Sequence, residues 1–166
     1  MDIRAAEAFD AAGIAAIYND AVETTTAIWN DRTVDAADRA AWIAGRVAAG
    51  YPVLVAAEAG RVLGYASYGP FRAFDGYRHT GELSIYVERA ARGQGLGKRL
   101  LAALIEEARA RRLHVLIAAI DASNQGSIGL HLGMGFREAG RLTQVGTKFG
   151  RWLDLAFLEL MLDPPA

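Results

Sequence analysis

The chain has 166 residues, 52% of them hydrophobic and 22% charged, with a formal net charge of -1 and no cysteine. This length and composition suit one globular domain over residues 1–166 with its own core, and they exclude a disordered or coiled-coil chain. Near-neutral charge removes the positive field that draws proteins to nucleic acid or anionic membranes, and the missing thiols exclude disulfides, thiolate zinc sites and a cysteine nucleophile. The opening Met1-Asp2-Ile3-Arg4 does not resemble a secretory leader. No stretch approaches the roughly 20 apolar residues of a bilayer span, so a soluble, cytoplasmic protein is expected.

Asp2 to Ala5 reads as a short strand, and Asp10 to Val22 as a helix with Ile14, Ile17, Tyr18 and Ala21 on one face. Thr24-Thr25-Thr26 ends it, because three β-branched residues favour an extended chain. A second helix is expected from Asp35, a suitable N-cap, to Gly50, which tolerates the left-handed C-terminal conformation; Trp42, Ile43, Arg46 and Val47 form its half-apolar face. Pro52 to Glu58 and Arg61 to Tyr68 read as strands joined at Ala59-Gly60. In Glu82 to Val87, Glu82, Ser84 and Tyr86 alternate with Leu83, Ile85 and Val87.

Leu96, Leu100, Leu101, Leu104, Ile105 and Ala108 form the strongest helical stripe, opposite Glu106, Glu107 and Arg109. Leu113 to Ile120 is a continuous apolar run, as for a strand buried on both faces. A shorter helix over Asn124 to Met134 and two closing strands, near Gly135 to Leu142 and Trp152 to Met161, complete a mixed α/β order. The Asp163-Pro164-Pro165-Ala166 tail stands apart.

Arg92-Gly93-Gln94-Gly95-Leu96-Gly97-Lys98 connects the alternating strand to the strongest helix. Glycines admit a ligand close to the backbone, and the free N–H groups and dipole at a helix start attract phosphate oxygens, so a pyrophosphate suits this turn. A tight strand-to-helix connection accounts for the same glycines without a ligand. The spacing is not that of a P-loop, no Gly-x-Gly-x-x-Gly follows the first strand, and there is no Gly-x-Ser-x-Gly elbow. His79, His114 and His131 lack the i, i+4 spacing of a helical metal pair, so no metal is expected.

The turn resembles the Arg/Gln-x-x-Gly-x-Gly/Ala signature that follows the fourth strand of the GCN5-related N-acetyltransferases (GNAT). Asp121-Ala122-Ser123-Asn124 and the helix ending Leu130-His131-Leu132-Gly133-Met134-Gly135-Phe136 look like that family's second cofactor motif. Glu23-Thr24-Thr25-Thr26, Gly64-Tyr65-Ala66-Ser67-Tyr68-Gly69, Glu82-Leu83-Ser84-Ile85-Tyr86-Val87 and Lys148-Phe149-Gly150-Arg151-Trp152-Leu153-Asp154 resemble the phosphinothricin and methionine sulfoximine acetyltransferases. The resemblance implies a twisted mixed sheet of about seven strands flanked by about four helices, with acetyl-CoA in a cleft between strands 4 and 5. It also implies direct transfer of the acetyl group from acetyl-CoA, as cosubstrate, to the amine of a small amino acid or analogue, by a homodimer. A protein or peptide N-acetyltransferase and a catalytically silent CoA-binding module are the alternatives.

An ammonium group must lose a proton before it attacks a thioester. Glu82 stands where the family places a carboxylate and is the candidate base, a solvent-facing strand glutamate being the plainer reading. His131 stands where the phosphinothricin-like branch carries histidine. It is a candidate for protonating the leaving thiolate or sharing the base role, or else is a hydrogen-bonded helix histidine. Without a cysteine or an activated serine, direct transfer is favoured over an acyl-enzyme.

For the cofactor the resemblance points to Ile85, Tyr86 and Val87, to Arg92, Gly93, Gln94, Gly95, Leu96, Gly97 and Lys98, and to Asn124 and Ser127; Asn124 serves equally as a helix N-cap. On the acceptor side, Phe71, Arg72, Phe74, Tyr77 and Arg78 combine aromatics with cations that suit a carboxylate, or form a solvated basic loop. Thr25, Trp29, Lys148 and Trp152 are further candidates, since relatives build the pocket from these segments, partly across a dimer interface. Leu153 replaces a histidine of the phosphinothricin enzymes, which argues against phosphinothricin as the preferred acceptor.

Overall fold

The computed structural model describes residues 1–163, so Pro164, Pro165 and Ala166 of the tail lie outside the described residues. In chain order the elements are β1 (Asp2–Ala5), α1 (Ala11–Thr24), α2 (Ala36–Ala48), β2 (Val53–Glu58), β3 (Arg61–Pro70), β4 (Thr80–Val87), α3 (Leu96–Ala110), β5 (Val115–Asp121), α4 (Gln125–Gly133), β6 (Arg137–Lys148) and β7 (Arg151–Met161). No helix among the described residues is long and apolar enough to cross a membrane.

Local chemistry accounts for most boundaries. The Asp38 N–H donates to Asp35 Oδ1 at 2.8 Å, capping α2, and Gly50 beyond its end takes φ +86°. Ala59 and Gly60 both have positive φ between the paired Glu58 and Arg61, a two-residue turn whose twist matches that of its strands. Phe149 and Gly150 make the same kind of turn between Lys148 and Arg151.

The strands form one sheet in the order β1-β2-β3-β4-β5-β7-β6. Every neighbouring pair is antiparallel except β4 and β5, which α3 joins as a crossover helix. Their parallel ladder is short. It pairs Thr80–Leu83 with Val115–Ala118 and then stops, leaving the ends of both strands to diverge.

Helix α3 lays Leu96, Leu100, Leu101, Leu104, Ile105 and Ala108 on one face of the sheet, against Ala66, Tyr68, Leu83, Leu116 and Leu158. On the other face Ile14, Ile17 and Ile43 pack on Val53, Val55, Val62 and Tyr65.

Three expectations need correction. Strand β4 begins at Thr80 and β3 extends to Pro70, because the two pair as far as Pro70 and Gly81. Strand β6 runs on to Lys148 rather than stopping at Leu142, since register shifts at Glu138/Gly140 and Leu142/Gly146 absorb its interruptions without ending the pairing. Strand β5 alternates: Leu116, Ala118 and Ile120 are buried, but Val115, Ile117 and Ala119 are only half-buried. Helices α1 and α2 pack on β2, β3 and β4, which leaves this side of β5 less covered.

Leu104 is fully buried at the centre of the α3 face. Leu104→Ala is expected to cost about 2–5 kcal/mol, read as a lower urea midpoint with an unchanged slope.

Candidate active site

Where β4 and β5 part, a cleft of about 760 Å³ opens between α1, the start of α3 and α4. It adjoins a smaller cavity of about 70 Å³ lined by residues 83–86 of β4 and 118–121 of β5. Asn124, Ser127 and His131 line both. Among the other sequence candidates the larger cleft collects Thr25, Ile85, Tyr86, Val87, Arg92, Gly93, Gly95, Leu96, Gly97 and Lys98. Gln94 is exposed and outside that lining.

The glycine turn is built for this position. Gly93 and Gly95 have φ of +78° and +75°, values that strain a residue with a Cβ. The first hydrogen bond of α3 runs from the Arg99 N–H to the Gly95 carbonyl at 3.1 Å. The N–H groups of Leu96, Gly97 and Lys98 therefore have no acceptor among the described residues, and the helix dipole adds partial positive charge there. Arg92 ties the turn to β4, its Nε donating to the Val87 carbonyl at 3.1 Å.

Asn124 caps α4 by accepting from the Ser127 N–H through Oδ1 at 3.1 Å. The imidazole of His131 is 3% exposed and lies edge-on to Phe136. Its Nδ1 is 2.7 Å from the Ser127 carbonyl, which only accepts, so Nδ1 carries the proton. Burial lowers the pKa of the ring, against the opposing pull of that bond, and Nε2 is buried without a partner among the described residues. The group is a neutral imidazole with a free lone pair.

Glu82 sits where β4 is still paired, opposite Gly69 of β3 and Ile117 of β5, just below the divergence and outside the lining of both cavities. Burial pushes its carboxyl pKa above the ordinary value, while Arg46 pulls it down.

The acceptor candidates do not converge on the cleft in the same way. Phe71 packs edge-on against Tyr77 and Phe157, Arg72 lies over the Tyr77 ring, and Arg78 donates to the Asp75 carbonyl. Phe74 and Trp152 are each 67% exposed. None of these six lines the cleft. Trp29 lies against the backbone of β6, where a Cβ on Gly146 would be 2.3 Å from its ring. Lys148 is buried, its ammonium donating to the Thr25 and Ile28 carbonyls, so in this structure it holds the segment that borders the cleft.

Helical periodicity places Arg46 only on a half-apolar face, and Asp121 enters only as the head of a motif, so neither is among the site residues expected from the sequence. Asp121 accepts from the Thr26 hydroxyl and from the N–H and hydroxyl of Ser123, and those bonds outweigh its burial to hold its pKa below the ordinary value. It joins the end of β5 to the threonine segment after α1. Ser123 two residues on was the available signal, since an Asp-x-Ser spacing suits such a turn.

The profile of the Acetyltransferase (GNAT) family matches residues 14–136. The chain is 59% identical over 163 residues to an L-methionine sulfoximine/L-methionine sulfone acetyltransferase of Pseudomonas paraeruginosa, covering 98% of this chain and 95% of that one. Among solved structures, an acetyltransferase of Salmonella typhimurium with acetyl-CoA superposes with a TM-score of 0.97 at 54% identity, covering 100% of this chain and 96% of that one. A ribosomal-protein-alanine N-acetyltransferase of Brucella melitensis superposes with a TM-score of 0.95 at 57% identity, covering 97% and 99%. The match spans residues 14–136 and the relatives cover nearly the whole chain, so the likeness does not rest on the glycine turn alone, and on that ground the chain belongs to the acetyltransferase (GNAT) family.

Proposed function

We propose that this enzyme moves the acetyl group of acetyl-CoA directly to the amino group of a small L-amino acid or analogue of the methionine sulfoximine kind. The observation that carries the reading is the row of unpartnered N–H groups at residues 96–98, opening into a cleft that ends at a buried, neutral imidazole. The 59%-identical methionine sulfoximine acetyltransferase supports the acceptor class.

Bound acetyl-CoA supplies an activated acyl group as a thioester. The free amides of α3, with Arg92 and Lys98, suit its diphosphate. The Ile85–Val87 edge and the side-chain amide nitrogen of Asn124, whose oxygen is already occupied by the cap, suit the pantetheine arm. Glu82 takes the proton of the acceptor ammonium, and as the amine forms the new C–N bond the thioester C–S bond breaks and coenzyme A leaves as its thiolate, to be protonated from solvent. His131 offers a lone pair at Nε2, so it acts as an acceptor that shares the base role rather than as a ready acid.

A second reading, acetylation of a peptide N-terminus, is favoured by the similarity to the Brucella structure. One assay of free thiol release separates the two: methionine sulfoximine turning over faster than an alanine-terminated peptide supports the amino-acid reading, and the reverse order overturns it.

We also propose a homodimer. Phe71, Ile117 and Phe157 border a groove on the less covered side of β5 and β7, and Trp152 is exposed at the start of β7, apolar surface that a second copy would bury. Sedimentation is expected to give a dimer, with Phe157→Glu shifting it toward monomer; a monomeric unsubstituted protein at tens of micromolar, on the order of an ordinary working concentration, overturns this.

Glu82→Gln is expected to lower kcat by about 100-fold while leaving the affinity for acetyl-CoA unchanged. Because the base works only when ionised, kcat/KM should rise with pH through the elevated carboxyl pKa. Gly95→Val, which puts a β-branched side chain at φ +75°, should weaken acetyl-CoA binding by about tenfold in calorimetry.

A further inference from the structure

Glu82 and Gly69 are direct partners on antiparallel strands, so their side-chain positions share one face of the sheet. Gly69 has no side chain to place there, and the guanidinium of Arg46 from α2 takes the space. A Cβ on Gly69 would be 2.4 Å from Arg46 Nη1 and 2.6 Å from its Cζ. The guanidinium is held by more than this fit: it stacks 5.4 Å from the centroid of the Trp42 ring, and Nη1 donates to Ser67 Oγ at 3.3 Å. The Ser67 hydroxyl in turn donates to the Pro52 carbonyl at 2.8 Å, which leaves its oxygen free to accept.

Glu82 belongs to none of the ion pairs among the described residues, so its oxygens are not committed to a cation. Among the described residues Arg46 is the one charged group that acts on Glu82. Along β4 the same face carries Ser84 and Tyr86, whose hydroxyl burial keeps neutral; β3 offers Ser67 and Gly69, and β5 offers Ile117. On α2, Arg39 lies farther along, over Tyr18 and Trp42, and Tyr51 lies beyond the end of that helix near Arg46.

We propose that Arg46, lodged where Gly69 lacks a side chain, is the positioning residue for Glu82, acting on the carboxylate through space while leaving its oxygens free for the acceptor amine. This inference rests on the reading of Glu82 as the base. A guanidinium stays charged across the working pH range, so its influence is constant while Glu82 titrates. Burial and Arg46 act on Glu82 in opposite directions, and the balance between them sets the pH at which the base becomes available.

The test is kcat/KM for L-methionine sulfoximine against pH for the unsubstituted enzyme, Arg46→Met, Arg46→Lys, Gly69→Ala and Glu82→Gln, with acetyl-CoA affinity measured by calorimetry on each. Arg46→Met should move the acidic limb upward by about one pH unit, a loss of about tenfold below the limb, with acetyl-CoA affinity unchanged. Arg46→Lys should restore most of that shift. Gly69→Ala, whose new methyl displaces the guanidinium, should move the limb in the same direction as Arg46→Met. An acidic limb that stays in place in both Arg46→Met and Gly69→Ala, while Glu82→Gln loses activity, overturns the role of Arg46 alone. Glu82→Gln at the unsubstituted rate overturns the base assignment and the role of Arg46 with it.

Discussion

The functional architecture depends on one interruption: parallel pairing of β4 and β5 ends after Leu83 and Ala118. Beyond that point two strand edges keep main-chain groups that the ladder no longer satisfies, and a buried unpaired backbone group is costly unless water or a ligand meets it. The divergence therefore creates both a space and a demand for hydrogen-bonding partners. Helix α3 starts at the same end of β4, so its unpartnered N–H groups open onto that space. Strand edges and helix start together suit a long ligand with amides at one end and phosphates at the other.

At the proposed reacting end, burial rather than a dense charge cluster sets the protonation of both groups. The pKa of His131 is lowered by desolvation and that of Glu82 is raised, so each shift favours the neutral form. For the imidazole that supplies a lone pair at neutral pH. For the carboxylate it makes a stronger base once ionised, and a single fixed cation on α2 opposes the penalty. These two groups come from different structural layers: His131 lies on α4, beside α3 and the end of β5, while Glu82 lies below the fork on the α2 side of the sheet.

The mouth of the cleft is fixed by long-range polar ties. Asp121 at the end of β5 binds Thr26, Lys148 at the end of β6 binds the carbonyls of Thr25 and Ile28, and Trp29 closes on Gly146. The two register shifts that let β6 reach Lys148 thus have a consequence for the site, because a strand ending at Leu142 would leave the Thr25–Ile28 segment without its anchor.

The chain's own pattern determined most of the elements and the glycine turn. The apolar stripe of α3, the Asp35 cap, the Ala59-Gly60 turn and the glycines at 93 and 95 are local features, set by helical period, side-chain capping and backbone sterics, and each appears where its residues require. Tertiary structure alone decided which faces meet. That β4 and β5 separate after four paired residues, that the ammonium of Lys148 is consumed by carbonyls more than a hundred residues away, and that Arg46 enters the gap at Gly69 beside Glu82 all depend on strand register and helix placement. Such contacts join residues distant in sequence, and no periodicity within either segment encodes the distance between them.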